Sequence, residues 1–125
     1  MTRTLCTKQH SGLLMERIQF EALPEDVREA LEMLHIPGQD ETESISALRQ
    51  ITSQYPGFVP ARLNLAAMQL QCDDTDAAEG TYRNVLSDFP DENGAVGGLA
   101  TVHAARKDFQ NAETLARKAL DSGYD

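Results

Sequence analysis

Tryptophan is absent from this sequence of 125 residues, and aromatic residues make up only 6% of it. A core built from alanine, leucine, valine and methionine suits closely packed helices better than a β-sandwich, which favours aromatic and β-branched side chains. The scarcity of aromatic residues therefore indicates a helical protein. Hydrophobic residues still account for 41% of the chain, so a packed core is available and general disorder is not expected.

Cysteine and long apolar runs are also scarce. Cys6 and Cys72 occur in unrelated contexts and without C-x-x-C spacing, which predicts reduced thiols and a cytoplasmic location. No apolar run approaches the ~18 residues that a membrane span requires. The first nine residues lack the apolar core of a secretory signal. We therefore expect no membrane insertion.

Basic residues are few compared with acidic ones. The 11 lysines and arginines are outnumbered by 20 aspartates and glutamates, which gives a formal net charge of −9. Such a chain repels the phosphates of nucleic acids and of anionic lipids, so neither is an expected partner.

The sequence patterns of common catalytic sites are missing as well. The sequence contains no G-x-S-x-G, no H-E-x-x-H and no phosphate-binding glycine loop that follows a strand. Cys72 stands beside two aspartates, which are expected to raise the pKa of its thiol and make it a poor nucleophile. We therefore predict a protein that is not an enzyme, with no cofactor and no metal.

The chain does contain an internal repeat of about 34 residues, in which position 65 corresponds to position 99 and position 74 to position 108. A fixed period of this size is typical of stacked helical repeats. The recurring pairs are Leu65 and Leu99, Ala66 and Ala100, Asp74 and Asp108, Ala78 and Ala112, Arg83 and Arg117, and Leu86 and Leu120.

Six helices are predicted from the helical spacing of apolar residues and from the prolines and glycines that interrupt it. Short connections make consecutive helices antiparallel, so each pair forms a hairpin. Hairpins of this kind bury their apolar faces by stacking into a solenoid with a concave and a convex surface. The predicted helices cover residues 24–36, 41–54, 59–71, 75–88, 92–106 and 109–122.

The N-terminal segment, residues 1–24, lies outside the repeat. Its start, residues 1–11, is polar and is expected to fray. The apolar spacing over residues 12–23 favours a helix that covers the first repeat. The alternation over residues 17–20 is equally compatible with an extended segment.

The recurring residues resemble the tetratricopeptide repeat (TPR) family. The middle repeat starts at Val59 and matches at Leu65, Ala66, Ala78, Tyr82, Val85 and Pro90. The third starts at Asn93 and matches at Leu99, Ala100, Ala112 and Ala119, with Ala116 in the aromatic position and Tyr124 in place of the proline. The first starts at Glu25 and matches at Leu31, Leu48, Ile51 and Pro56 but departs at Glu32 and Ser44.

This resemblance implies an all-α, right-handed α-solenoid of antiparallel hairpins. The repeat domain would cover residues 25–125, with repeats at about 25–58, 59–92 and 93–125. The implied function is a scaffold that binds a peptide or helix of a partner protein on its concave face. By position in the family pattern, that face would present Leu63, Asn64, Ala67, Leu70, Gln71, Gly94, Gly97, Gly98, Thr101, Ala104 and Ala105.

Several alternatives stay open from the sequence. The glycines at 94, 97 and 98 admit a ligand close to the backbone or simply let neighbouring repeats pack tightly. Arg49, Arg83 and Arg117 recur on the second helices, either as a basic ladder for an acidic ligand or, as we favour, as residues of a solvated convex face.

The function also has alternatives. The chain could be the regulatory N-terminal part of a larger enzyme, such as a transferase. It could instead be a self-assembly module that forms homo-oligomers through an uncapped C-terminal repeat. Because no polar capping helix follows the third repeat, we expect the chain to be a fragment of a longer protein.

Overall fold

The computed structural model describes residues 15–34 and 36–121. Over these residues the protein is all-α and contains no strand, which confirms the predicted fold class at this level. The segment predicted to fray, the first part of the predicted N-terminal helix and Tyr124 lie outside the described residues. No helix of the described part is long and apolar enough to cross a membrane.

In the described part of the chain, a 3-10 turn at Phe20–Ala22 is followed by six α-helices. The first helices of the three hairpins begin at residues 25, 59 and 93, and the second helices begin at 41, 75 and 109. Both sets of starts therefore recur with the same step as the sequence repeat. The helices are α1 Glu25–Met33, α2 Glu41–Gln54, α3 Val59–Gln71, α4 Thr75–Asp88, α5 Asn93–Ala105 and α6 Phe109–Asp121.

Local chemistry explains where several helices begin. The Asp40 carboxylate accepts a hydrogen bond from the Thr42 backbone amide at 2.9 Å, and Asp74 caps α4 in the same way through Ala77. The two short turns within hairpins each contain a non-glycine residue with a positive φ of 63°, Asp73 and Lys107. These two residues occupy equivalent positions of the repeat, so the turns recur along with the helices.

Two hydrophobic clusters form the core. One joins α3, α4 and α5 around Tyr82, Val85 and Val102, and the other joins α1, α2 and α3 around Leu31 and Leu48. Each helix contacts the next along the chain, and α3 also contacts α5. The protein is therefore a row of hairpins in which the first helices of the second and third hairpins lie side by side.

The first hairpin is the least regular. Helix α1 ends at Met33 after nine residues, whereas α3 and α5 have 13 residues each. Glu32, which the family pattern expects to be small, is exposed, while Ser44 is only 2% exposed in the core. Helix α1 contacts α2 less extensively than any other two consecutive helices contact each other, and a charged side chain such as Glu32 is unfavourable at a close helix crossing.

The predicted N-terminal helix is wrong over the described residues. Residues 15–19 form no helix, and only the short turn at Phe20–Ala22 follows. We call residues 15–23 the N-terminal strap. The Ile18 backbone amide donates to the Gly57 carbonyl at 2.8 Å, so this segment forms its hydrogen bond across the fold instead of along a helix.

Candidate functional site

The residues predicted to bind a partner all lie on α3 and α5, and we call them together the α3–α5 surface. The contact between the two helices brings the two halves of the set together. A Cβ placed on Gly94 would lie 3.1 Å from the Leu63 Cδ1 atom. Five members are exposed and six are partly buried, so none is closed off from solvent; the exposed ones are Asn64, Gln71, Thr101, Ala104 and Ala105.

The three glycines of this surface differ in their surroundings. A Cβ on Gly98 would lie 2.3 Å from the Tyr82 ring, so this glycine is required where α5 packs against α4. A Cβ on Gly97 would meet no atom within 4 Å. Packing therefore explains Gly98 but leaves Gly97 without a structural reason, although a glycine within a helix costs up to about 1 kcal/mol relative to alanine.

The N-terminal strap is fixed at the start of α5 by charge. The Arg17 guanidinium donates to Glu92 at 2.8 Å and to Asp91 at 3.1 Å, and it lies 4.7 Å from the centroid of the Phe89 ring. Glu92 also accepts from the Gly94 amide and so caps α5. The hydrogen bond to Glu92 raises the pKa of Arg17 despite partial desolvation. The Arg17 contacts combine ion pairing with a cation–π interaction.

Gly57, just before α3, leaves room for the strap to pack against the backbone. A Cβ on Gly57 would lie 2.3 Å from the Glu16 carbonyl oxygen and 3.0 Å from the Ile18 side chain. The Phe20 and Phe58 rings stand 6.2 Å apart, centroid to centroid. The strap thus runs in an extended path across the N-terminal ends of α5 and α3, next to the α3–α5 surface.

Sequence reasoning favoured a helix here and kept the extended segment as its alternative, but it did not foresee the contacts of the strap. The alternating residues 17–20 were the available signal, because an extended segment turns successive side chains to opposite sides. Ile18 and Phe20 pack with the cluster of α1, α2 and α3, while Arg17 reaches Glu92, 75 residues along the chain. Such distant partners are not visible in local spacing.

Titratable groups do not converge into a reactive centre in the described part of the chain. No group of three or more histidine, cysteine, aspartate or glutamate side chains there could hold a metal ion. Partial desolvation, reinforced by a hydrogen bond to Glu41, raises the pKa of the exposed Cys72 thiol. A thiol with a raised pKa carries little thiolate at neutral pH, so Cys72 is a poor nucleophile here.

Comparison of the chain with protein-family models, with curated proteins and with solved structures gives no match in any of the three.

Proposed function

We propose that this protein is a non-catalytic scaffold that binds an extended peptide segment of a partner protein on the α3–α5 surface. The observation that carries the proposal is the N-terminal strap. This extended segment already lies at the N-terminal edge of that surface, held by one backbone hydrogen bond and by the contacts of Arg17. A partner peptide would use the same combination of main-chain and side-chain contacts.

The composition of the surface supports peptide binding. Leu63, Ala67 and Leu70 leave apolar atoms accessible, and Gly97 lets a backbone approach α5 closely. Burial of about 300 Å² of apolar surface would contribute about 7 kcal/mol before the costs of association. A micromolar complex requires about 8 kcal/mol net, so main-chain hydrogen bonds and ion pairs would have to supply the remainder.

The charge of the chain favours a basic partner. The formal net charge is −9, and Asp91 at the edge of the surface is largely exposed even while it pairs with Arg17. An acidic protein attracts cationic segments over a distance of about one Debye length, ~8–10 Å at physiological salt. We therefore expect bound peptides to carry lysine or arginine next to apolar residues.

The proposal includes the architecture that the resemblance implies. The regular recurrence of both sets of helix starts supports a right-handed solenoid of the TPR type. In such a solenoid the first helices line the concave side, which would make the α3–α5 surface the inner wall. The reduced cysteines and the overall composition favour a cytoplasmic location.

A displayed library of extended peptides, selected against the whole chain, tests the proposal. Affinity of the selected peptides would be measured by fluorescence anisotropy for the wild type and for Gly97→Glu. We expect the substitution to weaken binding at least about tenfold, because a glutamate side chain would fill the space above α5.

Gly80→Glu is the matched control. Gly80 also lies within a helix and has no atom within 4 Å of its Cβ position, but it belongs to α4. Peptide affinity should be unchanged in this variant. Failure to select any peptide, or equal affinities for both variants, would reject the α3–α5 surface as the binding site.

A further inference from the structure

A second accessible site lies away from the α3–α5 surface. It is an open cleft of about 320 Å³ formed by α2, α3, α4 and the turn after α2. No acidic residue lines it, although acidic residues outnumber basic ones 20 to 11 in the chain. The lining residues are Arg49, Thr52, Ser53, Pro56, Arg62, Leu65, Thr81 and Asn84.

Arg49 differs from the two arginines that recur at the same position of the repeat. Arg83 pairs with Glu79 at 2.8 Å, and Arg117 pairs with the equivalent Glu113 at 2.8 Å, each four residues earlier on the same helix. The residue four positions before Arg49 is an isoleucine. The Arg49 guanidinium consequently has no ion-pair partner in the described part of the chain.

Arg62 supplies a second, more rigid cation. Only 8% of this residue is exposed, and its Nη1 atom donates to the Pro56 carbonyl at 3.0 Å and pairs with Asp88 at 2.9 Å. These contacts fix the guanidinium plane at the wall of the cleft. Asp88 balances part of its charge, so the net positive charge of the cleft depends mainly on Arg49.

Neutral donors complete the lining. The hydroxyl groups of Thr52 and Thr81 already donate within the protein, to the Arg49 carbonyl and to Gln69. Ser53 and Asn84 are exposed, and their side chains make no hydrogen bond to another described residue. The cleft therefore offers one free guanidinium, one hydroxyl and one amide around a fixed arginine.

We propose that this cleft binds a tetrahedral phosphate group, either as the free ion or as a phosphate monoester. A planar guanidinium donates two parallel hydrogen bonds to such an oxyanion, and hydroxyl and amide groups complete its coordination. No carboxylate lines the cleft, and the nearby Asp88 carboxylate is paired with Arg62, so the local repulsion of an anion is reduced. The site is separate from the proposed peptide surface, since the two share no residue.

Titration of the ¹⁵N-labelled chain tests this site, with backbone amide shifts followed by NMR at low salt and pH 7. Inorganic phosphate and phosphoserine are added separately. We expect saturable shifts at the residues that line the cleft, at ligand concentrations up to about 10 mM. Equal affinities would identify free phosphate as the ligand, and tighter binding of phosphoserine would identify a monoester.

Two variants and one competing anion make the test decisive. Arg49→Gln should weaken phosphate binding at least about tenfold, while Arg83→Gln, at the equivalent exposed position of α4, should leave it unchanged. Acetate at matched ionic strength should bind at least about tenfold more weakly, since it carries less negative charge and has fewer acceptor oxygens than phosphate. The proposal is overturned by an absence of saturable shifts, by equal losses in the two variants, or by equal binding of acetate.

Discussion

Helices α4 and α6 are the second helices of neighbouring hairpins and begin at equivalent positions of the repeat, yet their outer faces meet different surroundings. On α4, the Tyr82 side chain is 6% exposed and Leu86 is partly buried against the core cluster that includes α5. The matching positions on α6 are Ala116 and Leu120, and both are exposed, Leu120 at 63%. The same position of the repeat therefore lies in the core in α4 and on the surface in α6.

This difference shows that a repeat position specifies a helix face but not its burial. Among the residues that the structure describes, the large hydrophobic side chains that remain exposed are Met33, Ile36, Phe109 and Leu120. All four belong to the first or the last hairpin of the described array, where a face has a neighbouring hairpin on only one side. Burial follows from stacking, and stacking is a property of neighbours.

Among the substitutions that test this difference in burial, Tyr82→Ala should have the largest effect on stability. Removal of a buried aromatic side chain should lower the free energy of unfolding by about 3–4 kcal/mol, measured by urea denaturation. Ala116→Tyr, at the matching position of α6, should change it by less than about 0.5 kcal/mol, because that site faces solvent. Similar losses in both variants would contradict the difference in burial.

Gly98 provides a second check on the same contact. In the wild type, Gly98→Ala should destabilise the fold by about 1–3 kcal/mol, because the added methyl group meets the Tyr82 ring. In the Tyr82→Ala background the same change should become stabilising, since the ring is gone and alanine is the better helix former. Urea denaturation of the two single variants and the double variant measures this change of sign, and equal losses in both backgrounds would show that the ring is not the obstacle.

An intermediate effect is expected from a matched leucine pair. Leu86→Ala should cost about 1–2 kcal/mol, less than a fully buried leucine, because the side chain is only partly covered. Leu120→Ala should cost less than about 0.5 kcal/mol. Thermal and urea denaturation of the two variants would measure the gap, and equal losses would show that α6 is covered in solution.

The smallest effect concerns Glu79, which accepts from Arg106 at 2.7 Å and from Arg83 at 2.8 Å. The hydrogen bonds from these two arginines, that from Arg106 first, hold the pKa of Glu79 below its usual 4.5. A lowered folded-state pKa means that the stabilisation is present above the unfolded value and is lost as pH falls through the folded one. Glu79→Gln should therefore cost about 0.5–1 kcal/mol at pH 7 and progressively less towards pH ~3.

Glu113→Gln is the control for that titration. Among the described residues Glu113 accepts only from Arg117, and both side chains are mostly exposed, so its loss should stay within about 0.3 kcal/mol at pH 7. Urea denaturation of the wild type and both variants at several pH values would compare the two sites. A Glu79→Gln deficit that does not shrink in acid would contradict the proposed coupling.

Much of the fold was predictable from local chemistry. The bounds of α2, α3 and α4 match the predicted ranges, α5 is one residue shorter at each end, and the starts of α2 and α4 follow from Asp40 and Asp74. Capping and apolar spacing act within a few residues, so a single sequence reveals them.

The contact partners of the N-terminal strap, and which of the glycines packing requires, were beyond such reasoning. The strap depends on Gly57, Phe58 and Glu92, which come from two separate turns. Only the contact with Tyr82 distinguishes Gly98 from Gly97, which lies one position earlier on the same helix.

The sequence by itself determined that six helices form and that their starts recur with the period of the repeat, because turns, caps and helical periodicity are local. Tertiary structure alone decided which of the recurring faces are buried, where the strap lies and why Arg62 of α3 finds a carboxylate partner in Asp88 of α4. These outcomes depend on distances between segments far apart in the chain, which packing sets and local spacing does not encode.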